Sequence, residues 1–194
     1  HNFQNSRFTI PVAALDDDGT FAAPGAPEGF TTPGAPVLVS APGTEVAMAD
    51  IAGLDGRAAG DVTTSSGTSF SAPLVSGVVA LMLEANPAFG FRDVQESLAL
   101  SATQNDPDQQ GGSFNAADTW NGGGLHTNLN YGFGLVDARA AVRLAETWEE
   151  SDTLSNEASA SAANTLGAQI SDTDGTVQTV EIDENLNVET VEVD

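Results

Sequence analysis

Apolar residues follow three rhythms along this chain. From Arg7 to Leu15 (Arg-Phe-Thr-Ile-Pro-Val-Ala-Ala-Leu) they run almost unbroken, and Val37 to Ala41 reads the same way. Short continuous runs of this kind belong to strands buried on both faces of a parallel sheet. Asp16 to Pro36, between them, is rich in Gly, Pro and Asp and has no regular period, which predicts a surface excursion. Ser69 to Ala85 carries apolar and small residues all round the helical circumference, predicting a helix buried in the centre of a domain with Pro73 in its first turn. Two amphipathic helices follow. Phe91 to Thr103 sets Val94 and Leu98 four apart, and Asp137 to Trp148 offers Asp137 as N-cap and places Ala141, Leu144, Ala145 and Trp148 on one face. Parallel-type strands with covering helices predict an α/β layered fold.

The rhythm stops after Trp148. Residues 149–194 contain 12 acids and no basic residue, beginning with a Ser, Ala and Asn-rich stretch from Ser151 to Gly167. That composition predicts a flexible acidic linker over 149–176. Val177-Gln-Thr-Val-Glu-Ile and Leu186-Asn-Val-Glu-Thr-Val-Glu-Val then alternate apolar with polar residues across a turn-like Asp183-Glu184-Asn185, as half-buried strands do. Two strands do not make a stable domain, so 177–194 reads as the start of a second, β-rich module.

Charge narrows the function classes. In 194 residues, 28 acids face 5 basic residues, all Arg, for a net charge of −23. Such a surface repels nucleic acid and anionic membranes. It suits a salty exterior, where screening over roughly 3 to 10 Å relieves self-repulsion, and so a halophilic or marine setting. The chain has no Cys, hence no disulfide framework and no thiolate nucleophile. The longest apolar stretch, around Pro73 to Ala85, carries Ser76 and Glu84 and falls short of the roughly 18 apolar residues a span needs, so no membrane-spanning segment is expected. His1 follows no initiator Met or leader, and the sequence is expected to be a piece of a longer chain.

Candidate chemistry gathers in Gly67-Thr68-Ser69-Phe70-Ser71-Ala72-Pro73. A hydroxyl becomes a nucleophile when it is held in position beside a base, with donors ready for the oxyanion. Gly67 is expected to let the backbone approach closely, Ser69 stands where the helix begins, and the small Ser71 and Ala72 avoid crowding a substrate. The helix N-terminus adds partial positive charge and free N–H groups there. On spacing alone the alternative stays open that Ser65, Ser66, Thr68, Ser69 and Ser71 only cap the helix.

The run from Gly67 to Pro87 closely resembles the catalytic-serine segment of the subtilase family, in which a Gly-Thr-Ser-x-x-Ala-Pro box opens a buried helix. Leu83-Glu-Ala-Asn-Pro87, Phe91-Arg-Asp-Val-Gln95, Trp120-Asn-Gly and Tyr131-Gly-Phe-Gly-Leu-Val-Asp-Ala138 together resemble the kexin/furin branch, over about residues 5 to 148. The resemblance implies the C-terminal part of a subtilisin-like catalytic domain over 1–148, with the strands from Val177 opening a P (Homo B) domain. It implies a serine endopeptidase acting on proteins or peptides, secreted or at the cell surface, with structural calcium in the whole enzyme. Ser69 would be the nucleophile and its backbone N–H an oxyanion donor, with Gly67, Thr68, Ala72 and Pro73 as the supporting loop. The family order is Asp, His, then Ser, so both partners and the oxyanion Asn are expected before His1, and this chain alone is expected to be inactive.

Several residues test that reading. His126 lies in a Gly-rich loop after the serine and is expected to be exposed there, while His1 does not match the family's catalytic His segment. Ser69 with Asp106 or Asp118 and His126 imitates the Ser, acid, His order of α/β-hydrolases, but the elbow of that fold wants Gly where Ser71 stands. The branch's preference for paired basic residues rests in part on an Asp before the Asn-Ser matching Asn5-Ser6, and His1 stands at that place. Thr32 in Phe30-Thr31-Thr32-Pro33-Gly34 replaces a Glu found in some relatives. Weakened paired-basic specificity is the expectation. Asp16, Asp17, Asp18 and Gly19 read as a solvated acidic turn rather than a calcium loop, because their spacing fits no EF-hand. A catalytically inactive subtilase serving as a binding or scaffold module is the competing function.

Overall fold

The structure, a computed structural model, describes residues 6–22, 30–53, 55–105, 113–114 and 125–149. The chain divides into two units, His1–Asp152 and Thr153–Asp194, and the described residues all belong to the first. The expected linker, apart from Glu149, and the strands of 177–194 lie outside them.

The two apolar runs form parallel strands, β1 (Val12–Leu15) and β2 (Val39–Pro42), in register Val12↔Val39 to Leu15↔Pro42. Each is shorter than its apolar run. Pro11 cannot donate to the ladder, though its carbonyl still accepts from Leu38 N at 3.0 Å, so regular pairing starts one residue later. Ala13, Ala14, Leu15, Val39, Ser40 and Ala41 are all buried, as a doubly covered sheet requires. Leu135 extends the sheet beyond β2 by bridging Ser40 on one side and Thr103 on the other.

The segment Asp16–Pro36 is less of a surface excursion than its composition suggests. Phe21 bridges back to Leu15, Ala22 is buried, and Thr31 is 1% exposed. The Thr31 hydroxyl accepts from Ala14 N at 3.2 Å and lies 3.4 Å from Ala14 O, which also accepts from Ala22 N at 3.3 Å, so this segment covers the polar edge of β1. Thr32, beside it, is exposed.

Beyond β2 the chain makes an antiparallel hairpin, β3 (Val46–Ala49) with β4 (Val62–Ser65), and then enters α1 (Thr68–Ala85). α1 packs on β1, β2 and α3 (Ala138–Thr147). Only one stripe of it is buried, formed by Ser71, Val75, Val78 and Met82, whereas Leu74, Leu81 and Leu83 are 43, 49 and 41% exposed. The expected all-round burial is not met, because the described elements cover the helix on one side. By length and composition α1 is apolar enough to cross a membrane, unlike the shorter stretch weighed from sequence, but here it serves as a core helix against the sheet. Pro73 is the sixth helical residue, so it sits in the second turn and not the first.

α2 (Phe91–Ser101) buries Val94 and Leu98 as its spacing predicts. It ends two residues before Thr103 because the Thr103 backbone is taken into the paired bonds with Leu135. In α3, Asp137 is the N-cap, accepting from Ala140 N at 2.9 Å, and Ala141 and Ala145 are fully buried. A further short pair, β5 (Ser113–Phe114) with β6 (His126–Thr127), is antiparallel.

One polar knot ties the three helices together. Buried Asp93 accepts from Gly90 N at 2.6 Å and from Trp148 Nε1 at 3.0 Å. Asn86, just past the end of α1, donates from Nδ2 to the carbonyls of Ala145 and Trp148, both at 3.2 Å, adding to the Trp148 N–H bond that ends α3. Asn86→Ala leaves both carbonyls without this partner and should cost about 1–3 kcal/mol. A urea-unfolding midpoint unchanged from wild type would show that water replaces the amide at no cost.

Candidate active site

Ligand sites in open α/β sheets lie beyond the carboxyl ends of the strands. Here β1 ends at Leu15 and β2 at Pro42, and the chain leaving β2 turns through Gly43, Thr44 and Glu45 before the hairpin. Gly43 N donates to Leu15 O at 3.0 Å and the Thr44 hydroxyl donates to Asp16 Oδ1 at 2.5 Å, fastening the turn to the end of β1. The same turn grips the loop before α1, since Gly67 N donates to Gly43 O at 2.7 Å and Glu45 N donates to Ser66 Oγ at 3.0 Å.

Gly67 is the N-cap residue of α1, with φ 154° and ψ 152°, a region open to Gly and to almost nothing else. The expected reason for this glycine, close backbone approach, is wrong. A Cβ at Gly67 would meet nothing nearer than the Phe70 ring at 3.6 Å, so the dihedral alone demands Gly. Close approach occurs at Gly43, where a Cβ would collide with Ser71 Oγ and lie 2.6 Å from Ala14 Cβ.

The five neighbouring hydroxyls separate cleanly. The N-cap of α1 is Gly67, which has no side chain to cap with, so none of the five hydroxyls holds the N-cap position. Ser65 Oγ accepts from Arg57 Nη1 at 3.2 Å, Ser66 Oγ accepts from Glu45 N, and Ser71 Oγ donates to Pro42 O at 3.1 Å. Thr68 is half-buried. Ser69 is exposed, and no described group hydrogen-bonds its hydroxyl. It is the second residue of α1, in the turn whose N–H groups have no acceptor within the helix, beside the positive end of the dipole. Pro73 has no N–H to give the Ser69 carbonyl, which loosens the helical ladder at this residue too.

Ser71 departs from expectation. It does not line a substrate path but is fully buried, pointing at β2, whereas Ala72 and Pro73 are exposed. Pro42, Gly43 and Thr44 were not singled out in the sequence, and Ser66 was read only as a possible helix cap. The Pro42-Gly43 turn signal right after an apolar run was the available pointer.

His126 is not an exposed loop residue. It is half-buried in β6, where pairing with Phe114 holds its backbone. His1, Asn5, Asp106 and Asp118 lie outside the described residues.

The described residues gather no carboxylate cluster of the kind a calcium site uses. Among them no three His, Asp or Glu side chains gather within metal-binding reach. The Asp16–Thr20 turn is closed by its own bonds: Gly19 N donates to Asp16 O at 3.1 Å, and Asp18 Oδ1 accepts from Thr20 N at 2.8 Å and Thr20 Oγ1 at 2.6 Å. The Thr20 hydroxyl, followed by its backbone N–H, holds the Asp18 carboxyl below the usual 3.8. A depressed folded-state value means that the turn gains stability from ionised Asp18 above the unfolded value and loses it as pH falls through the folded one. Thr20→Ala should therefore raise the Asp18 carboxyl toward 3.8 in a carbon-detected NMR titration, and an unmoved titration would show that the hydroxyl bond contributes nothing.

Known proteins resemble the chain in sequence and fold. A profile described as the subtilase family matches residues 4–134. A proprotein convertase subtilisin/kexin type 5 from Branchiostoma californiense is 32% identical over 153 residues, 75% of this chain and 9% of that protein. A neuroendocrine convertase 2 from Drosophila melanogaster is 44% identical over 86 residues, 44% of this chain and 13% of the relative. The chain thus spans about a tenth of each. Among solved structures, a serine protease of Aeromonas sobria superposes with a TM-score of 0.58 at 25% identity, covering 71% of this chain and 29% of that one. With the helix-borne serine, the parallel strands and the match running through both, the chain belongs to the subtilase family and is kexin/furin-like.

Proposed function

We propose that the chain is the nucleophile-bearing part of a serine endopeptidase, a hydrolase of proteins or peptides, with Ser69 attacking the scissile carbonyl. One observation carries the reading: of five hydroxyls around the start of α1, Ser69 is the one both exposed and free, at a helix end that favours negative charge. Its own backbone N–H is suited to receive the oxyanion, at the geometry where such donors contribute most. A His to take the serine proton and an Asp to orient that His belong, in the family order, to sequence upstream of His1. The exposed Leu74 and Leu81, seven apart on one side of α1, support this, because a core helix of a complete domain needs a second covering layer there. On this reading the fragment alone is inactive and the parent is secreted or displayed at the cell surface. Residues 177–194 would open its P domain, calcium would be held outside the described residues, and preference for paired basic residues would be weakened by His1 and Thr32.

The test is labelling of the full-length parent with a fluorophosphonate probe. Labelling that disappears in Ser69→Ala is the expected result. A folded parent that takes no Ser69-dependent label would instead be the inactive scaffold form of the family.

A further inference from the structure

We propose that Ser71 and Gly43 form a lock that sets the position of the Ser69 hydroxyl, making Ser71 a positioning residue; its catalytic meaning rests on Ser69 being the nucleophile. Residues two apart on a helix are separated by about 200° of rotation, so a Ser69 directed at solvent places residue 71 against the sheet. Ser71 is 0% exposed and gives its proton to the Pro42 carbonyl at 3.1 Å, across 29 positions of sequence. That carbonyl belongs to the last residue of β2, in register with Leu15 of β1. The next residue, Gly43, has no positive φ to account for it, yet the space beside it is filled by Ser71 Oγ and Ala14 Cβ. Residues 43 and 71 are therefore matched in size, one lacking a side chain so that the other can seat its hydroxyl. Gly67 N–H to Gly43 O, at 2.7 Å, fastens the other side of the same turn. Ser69 thus stands between two attachments, at Gly67 and Ser71, that both end on residues 42 and 43.

A buried Ser at this place does more than fill space. Ala has nearly the same volume, so packing alone does not call for the oxygen, while the hydrogen bond fixes both the rotation of the first turn and its distance from β2. Misplacing a reacting atom by about 1 Å can cost on the order of 100-fold in rate. Loss of one of two attachments should shift Ser69 by less than that.

The experiment compares Ser71→Ala, Gly43→Ala and the double variant in the full-length parent, by steady-state kinetics and by amide hydrogen exchange. Ser71→Ala should lower kcat by about 10- to 100-fold with KM within about twofold. It should also speed exchange at Gly67 N–H about tenfold or more while leaving Met82, deep in α1, unchanged. Gly43→Ala should be the more damaging, and adding Ser71→Ala should recover part of its loss, because the colliding oxygen is gone. Unchanged exchange at Gly67 in Ser71→Ala overturns the lock whether or not the parent is active. Faster exchange with wild-type kcat overturns the positioning role, and strictly additive losses in the double variant overturn the size matching. A wild-type parent that takes no fluorophosphonate label defeats the nucleophile assignment instead, and the exchange result then judges the lock by itself.

Discussion

Replacing Ser69 with Ala should abolish peptide hydrolysis by the full-length parent while leaving its folding free energy within about 0.5 kcal/mol of wild type. Both halves follow from the same placement. Ser69 is exposed and its hydroxyl bonds to no described group, so its removal breaks no tie of the fold. Chemistry loses everything that depends on attack, and the expected fall in kcat is on the order of 10⁶-fold, a magnitude taken from subtilisin, itself a subtilase. KM should hardly move, since the lost oxygen matters only as the new bond forms. Paired kinetic and urea-unfolding measurements decide it. A large stability loss accompanying inactivity would mean that Ser69 is structural, and retained activity would move the nucleophile elsewhere.

Leu98→Ala should destabilise the chain by about 2–5 kcal/mol, while Leu81→Ala, the same chemical change, should cost about 0.5 kcal/mol or less. Leu98 is fully buried, in a cluster with Val39, Met82, Val94 and Ala141, and truncating it opens a cavity that close-packed neighbours fill only in part. Leu81 is 49% exposed, so its truncation leaves no void. In the full-length parent the comparison becomes sharper still. If upstream chain covers the outer face of α1, Leu81→Ala should there approach the cost of Leu98→Ala, read as a shift of the urea midpoint. Equal, small costs for Leu81→Ala in both proteins would leave that face uncovered and remove one support for an upstream catalytic half.

What could be read without coordinates was whatever chemistry is local. Asp137 announces α3 because an N-cap is a one-residue event, and Val94 with Leu98 announces α2 because their spacing is helical whatever surrounds them. The Gly67 to Pro87 run betrayed its family through length and specificity. Contacts across sequence were not legible. The side of α1 that meets the sheet decides whether Ser71 touches substrate or strand, and that side is set by Pro42, 29 positions away. Apolar residues all round α1 told what needs covering, not which elements do it. Gly67 and Gly43 look alike as letters, yet one is required for its dihedral and the other for its emptiness. His126 escaped because a two-residue strand has no alternation to detect.

The order in which these attachments form has a consequence for how the protein matures. α1 is local and can assemble as soon as its own residues are available, but the Ser69 turn is held by Gly43, which is itself held by Leu15. Closing those loops carries an entropic cost that only paired strands offset, so it belongs to late folding. A chain in which α1 had formed before β1 and β2 joined would carry the serine on a helix with nothing to aim it. Such an intermediate would be unable to cut itself or its neighbours, and hydrolytic competence would begin only when β1 and β2 have joined.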